Sequence, residues 1–80
     1  MEAIRWSANT LYLLDQRRLP TEHIWMEITE WNAAAQAISD MVVRGAPAIA
    51  ITAAYGLALA VQAGESRQKA ARVLSESRPT

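Results

Sequence analysis

The run Val43-Arg44-Gly45-Ala46-Pro47-Ala48-Ile49 contains the residue types best suited to gripping an anion. Pro47 favours the start of a helix, because the N–H it lacks would have had no intrahelical partner there. A helix N-terminus leaves about four backbone N–H groups unpaired and carries roughly half a positive charge. No Ser, Thr, Asp or Asn stands at this cap to satisfy those groups, and Gly45, Ala46 and Ala48 leave the backbone open to a ligand oxygen. Arg44 adds a fork-shaped guanidinium donor beside them. Together these residues read as a phosphate or carboxylate site. A second reading stays open, in which Gly45 is a turn between helices and Arg44 a solvated charge ending the preceding one. The run has neither the glycine spacing nor the Lys-Ser/Thr pair of a Walker loop.

Other residues offer less chemistry. His23 falls in a strand candidate and reads as a half-exposed strand residue. Asp15-Gln16-Arg17-Arg18 reads as a solvated turn with a local Asp–Arg pair, and Asp40 as a solvated residue on the polar side of a helix. Trp6, Trp25 and Trp31 read as core or interface anchors. With no cysteine and one histidine, no thiolate or multi-histidine metal site and no nucleophile–base pair can be assembled. Eight basic and eight acidic side chains give a net charge of zero. That balance argues against nucleic acid as a partner, and against a polybasic contact with a membrane surface.

These residues must be positioned by a chain of 80 residues, room for one small domain. Such a domain buries only about 60% of the surface its unfolded chain exposes. A hydrophobic content of 51% is too high for disorder. The order Met1-Glu2-Ala3-Ile4-Arg5-Trp6 is not that of a signal peptide, which with the lack of cysteine fits the cytoplasm.

Composition changes near Thr29: of sixteen alanines, two precede it and fourteen follow. Alanine favours helices, whereas Trp, Tyr, Ile and Thr suit strands. The fold class expected is α+β, a small three-stranded antiparallel sheet (residues 1–29) followed by a helical bundle (residues 30–80) of the same domain. The strand candidates are Ala3–Trp6, Thr10–Leu14 and His23–Thr29, with Ser7-Ala8-Asn9 as a turn and Ile24, Met26 and Ile28 alternating in the third. Thr29 is placed as the N-cap of a first helix, with Glu30 in its first turn. Trp31, Ala34, Ala35, Ile38, Met41 and Val42 form one helical stripe along it, interrupted by Arg44-Gly45. A second helix runs from about Pro47 to a stop at Gly64, and a third from about Ser66 to Ser77, ending before Pro79.

No charge occurs between Gly45 and Gly64. Twenty helical residues span about 30 Å, enough for a bilayer core. Eight of these positions are alanine, however, and Ile49, Ile51, Leu57, Leu59 and Val61 scatter around the helix. The expectation is a central helix buried on all sides in a soluble bundle, with no membrane contact. Ala46, Ala50, Ala54 and Ala58 have the spacing that lets helix backbones approach closely. The other segments cover such a helix poorly, a hint that protein is missing.

Several runs together resemble one family. Leu13-Leu14-Asp15-Gln16-Arg17-Arg18-Leu19-Pro20, Met41-Val42-Val43-Arg44-Gly45-Ala46-Pro47-Ala48-Ile49, Ala53-Ala54-Tyr55-Gly56 and Ser77-Arg78-Pro79-Thr80 are similar, in that order, to the amino-terminal part of the S-methyl-5-thioribose-1-phosphate isomerases. Ribose-1,5-bisphosphate isomerases and regulatory subunits of the eukaryotic translation-initiation exchange factor share that family. The resemblance covers essentially the whole chain. It implies an aldose–ketose isomerisation in methionine salvage, converting S-methyl-5-thio-α-D-ribose 1-phosphate to S-methyl-5-thio-D-ribulose 1-phosphate. It also implies that no metal or organic cofactor takes part, that the intact protein is a homodimer, and that Arg44, Gly45, Ala46 and Arg78 contact the sugar phosphate. The family's catalytic Cys and Asp lie in a carboxy-terminal domain. This chain has no Cys, and neither Asp15 nor Asp40 matches the catalytic Asp. The expectation is a fragment that holds part of a phosphate site, has no catalytic residue, and is inactive alone. The alternatives are a non-catalytic regulatory relative and a ribose-1,5-bisphosphate isomerase.

Overall fold

Short strands on the amino-terminal side need a helical layer to cover their apolar face. The computed structural model describes residues 2–78. Met1, the Pro79 before which the third helix is expected to end, and Thr80, which closes the Arg-Pro-Thr run, lie outside them. Strands β1 (Ile4–Ser7), β2 (Thr10–Leu14) and β3 (Trp25–Ile28) form an antiparallel sheet in the order β1-β2-β3. Helices α1 (Trp31–Ser39), α2 (Ala46–Gln62) and α3 (Arg67–Glu76) follow. The expected α+β architecture is the one observed.

The β1–β2 link is two residues long, with φ of 51° at Ala8 and 60° at Asn9. Two positive φ values mark the mirror-image turn whose twist matches that of paired strands. Register then aligns Ile4 with Leu13 and Met26, and Trp6 with Leu11 and Ile28. Those rows form the inner face. Leu11 and Leu13 are completely buried, and removing each side chain from water contributes about 1.5–3 kcal/mol. The Trp6 ring stacks on Tyr55 of α2, with centroids 4.8 Å apart and planes 9° from parallel. On the outer face, the Arg5 guanidinium lies 4.5 Å over the Trp25 ring.

The structure moves several boundaries. β3 begins at Trp25, so His23 and Ile24 precede it and both are exposed. Glu30, not Thr29, is the N-cap of α1, and no side chain caps it. The helix stops at Ser39, short of Met41. There the Met41 N–H donates to Ile38 O (3.1 Å) and the Val42 N–H to Ala37 O (3.0 Å), and Met41 has φ +62°. This is a Schellman turn, usually built on glycine. It swings Met41 out of the predicted stripe to 44% exposure while Val42 stays buried. Asp40 is exposed at the C-cap, where it accepts from Gln36 Nε2 at 2.9 Å.

The second helix departs most from expectation. Its buried row is Thr52, Gly56 and Ala60, whereas Ala46, Ala50 and Ala54 are exposed and Ala58 half-buried. α1 and α3 both pack on α2, and they meet it at Gly56. A Cβ added there would lie 3.0 Å from both Ala34 Cβ and Leu74 Cδ2. Helix axes approach this closely only over small residues. Thr52 carries the one buried hydroxyl among the described residues, and it donates to Ala48 O at 2.8 Å. The opposite face of α2 carries Pro47, Ala50, Ile51, Ala54 and Val61, all exposed. The molecule is 17 Å thick along its shortest axis, too thin for layers on both sides of a helix about 10 Å across. The uncharged helix is therefore enclosed on one face only. Among the described residues no helix is long and apolar enough to cross a membrane.

Candidate functional site

The backbone builds the site before any side chain does. α2 starts at Ala46 with Pro47 in its first turn and Gly45 as N-cap. Gly45 has φ +89° and ψ 141°, a region that side chains oppose by about 1–3 kcal/mol. A Cβ at Gly45 would meet nothing within 4 Å, so the constraint there lies in the backbone and not in space. The Gly45 carbonyl accepts the first helical bond, from the Ile49 N–H at 3.0 Å. Among the described residues nothing accepts from the N–H groups of Ala46 or Ala48, and no side chain caps the helix. Arg44 is exposed immediately before this end, with no acidic side chain within ion-pair reach among the described residues. Two amides and a guanidinium thus face solvent at the positive pole of a 17-residue helix.

Two further segments reach the same end of the molecule. α3 ends beside α1, where the Ser39 hydroxyl donates to Ser77 O at 3.2 Å. Arg78, exposed just beyond, lines a groove of about 340 Å3 between α2 and α3 together with Ile49, Ala50, Ala53, Leu57 and Leu74. Ile49 and Ala50 belong to the opening turns of α2, so Arg78 lies toward the same end of that helix as Gly45 and Ala46, although Arg44, Gly45 and Ala46 do not line the groove. The groove itself is almost wholly apolar.

The other segment is the Asp15 turn, where the structure corrects the sequence reading. Asp15 is not solvated: it is 2% exposed. It caps a single 3-10 turn, Gln16–Arg18, by accepting from the Arg17 N–H at 3.0 Å. Arg17 returns to it with both arms, Nε to Oδ1 at 2.9 Å and Nη2 to Oδ2 at 2.9 Å. The Arg17 hydrogen bonds, opposed by burial and assisted by the charges of Arg17 and Arg18, hold the Asp15 carboxyl below the usual carboxylate range. The Gln16 N–H donates to Val42 O at 2.9 Å, which docks this turn on the segment leading to Arg44. Sequence reasoning missed that bond. The signal available was an Asp able to accept from the amide two residues on, directly after the apolar pair Leu13-Leu14.

None of the protein-family models compared with the chain matches it. Individual proteins do. A curated methylthioribose-1-phosphate isomerase from Alcanivorax borkumensis is 55% identical over 98% of the chain, which covers 24% of that protein. The crystal structure of 5-methylthioribose 1-phosphate isomerase from Pyrococcus horikoshii superposes with a TM-score of 0.88 and 32% identity, over 98% of this chain and 24% of that one. The translation initiation factor eIF-2B subunit delta from A. fulgidus superposes at 0.86 with 36% identity, over the whole chain and 26% of its own. The chain spans about a quarter of the length of the curated relatives it matches. By sequence and by fold the chain is similar to one stretch, about a quarter, of the methylthioribose-1-phosphate isomerases.

Proposed function

We infer that the chain serves a methylthioribose-1-phosphate isomerase, as the amino-terminal domain of a longer, homodimeric, cytoplasmic protein, and that it helps hold the substrate's phosphate. The observation that carries this reading is the uncapped N-terminus of α2, where the Ala46 and Ala48 amides have no partner among the described residues and Arg44 stands beside them. Helix N-termini of this kind bind phosphate through N–H groups and the helix dipole together. Arg78, at the mouth of the α2–α3 groove, supplies a second guanidinium to the same ligand.

The chemistry sets a narrow task for these residues. A phosphate on the anomeric carbon blocks the simple ring opening that other sugar isomerases use. Moving hydrogen between adjacent carbons then needs a positioned acid or base in a site that excludes water. Those groups belong, on this reading, to the remaining three quarters of the protein. The segment described here contributes anion binding and an apolar wall.

The test uses a host protein in which these eighty residues replace the matching segment of the Alcanivorax borkumensis isomerase. The host should interconvert the two sugar phosphates. Arg44→Ala should raise KM about 10- to 100-fold, the effect of removing one charge-assisted hydrogen-bonding group. Unchanged kinetics would refute the assignment. A second reading, a non-catalytic regulatory subunit, draws on the eIF-2B delta likeness, and a host that folds and dimerises without activity would favour it.

A further inference from the structure

The Asp15 turn and the N-terminus of α2 are joined by short links. Asp15 is the one buried charged side chain among the described residues. Three bonds from Arg17, all between 2.9 and 3.0 Å, saturate its carboxylate, and Arg18 Nε stands 3.6 Å from Oδ2. Residues 15–17 therefore have no freedom to turn without breaking charge-assisted bonds. The Gln16 amide, held between them, donates to Val42 O at 2.9 Å. Val42 and Val43 are 1% and 2% exposed, so the backbone from that bond to Arg44 is packed as well as tethered. The charge of Asp40, on the near side of the same turn, also acts on Arg17.

The geometry points to Asp15 as a positioning residue for the anion site: through Arg17 and the Gln16 amide, its carboxylate fixes where the Val42–Arg44 backbone presents Arg44 and the amides of α2. Asp15 touches no ligand in this scheme. The inference rests on the phosphate-binding role proposed above. A purely structural Asp15 would, when replaced, lower stability and leave substrate affinity alone.

A double-mutant cycle in the host protein separates these roles, with kcat and KM for methylthioribose 1-phosphate measured for the unsubstituted host, Asp15→Asn, Arg44→Ala and the double variant. Asp15→Asn should raise KM about tenfold, within the range of couplings between residues of one network. The loss should fall on KM and not on kcat, as for an interaction made equally with substrate and transition state. In the Arg44→Ala background the same substitution should raise KM by clearly less than tenfold, because only the amides of α2 remain to be displaced. An unchanged KM in Asp15→Asn, or effects that multiply in the double variant, would overturn the positioning role while leaving the Arg44 site standing. An unchanged KM in Arg44→Ala would instead remove the site itself. If Asp15→Asn does not fold, Arg17→Lys at the half-exposed partner keeps the charge and loses the two-armed grip. It should raise KM in the same direction, and no rise would count as refutation.

Discussion

Single positions decide much of this structure. Asp15 is held ionised by Arg17, below its ordinary range near 3.8, so its pairing contributes stability that is fully present above the unfolded value. That contribution is lost as pH falls through the lower folded value. The urea midpoint of the host should therefore drop for Asp15→Asn at pH 7. The difference between the two proteins should shrink below about pH 4, where protonated aspartate comes to resemble asparagine. A constant difference down to pH 3 would mean that Asp15 acts by packing and not by charge. Met41 shows the limit of reading from sequence. Its apolar character and its i+10 spacing from Trp31 placed it in a helical stripe, yet it adopts φ +62° and closes α1. Methionine carries no signal for that conformation, whereas Gly45, which does, was legible as a turn. The uncapped start of α2 at Gly45 was legible for a different reason: a missing cap is as visible in a sequence as a present one.

At the scale of elements, composition, alternation in β3, the apolar stripe of α1 and the Pro and Gly that flank α2 were enough to find all three strands and all three helices, but periodicity orients only those with a polar face. It failed on α2, where a helix without charges has no polar face to orient it. The alanine row at 46, 50, 54 and 58 and the row at Thr52, Gly56 and Ala60 both have the spacing for close packing, and only the second is buried. What decides between them is Leu74 and Ala34 arriving from other helices, which no local pattern encodes. The consequence can be measured. Gly56→Ala gains about 1 kcal/mol of helix propensity, but it places a methyl 3.0 Å from the Ala34 Cβ, an atom that moves only with its helix. Overpacking of this kind costs about 1–3 kcal/mol, so the urea midpoint of the host should fall. An unchanged midpoint for Gly56→Ala would show that α1, α2 and α3 are packed less closely than described.

For the molecule as a whole, the fold docks the Asp15 run on the segment that leads to Arg44 while leaving a face of α2 uncovered. The sequence suggested the incompleteness, since an uncharged helix has too few neighbours within eighty residues. The most direct measurement is a crystal structure of the host protein with methylthioribose 1-phosphate bound. Phosphate oxygens are expected within about 3 Å of the Ala46 and Ala48 nitrogens, an ordinary hydrogen-bond distance, with the Arg44 guanidinium closing over them. A phosphate held elsewhere in the protein, with those two amides facing only solvent, would contradict it.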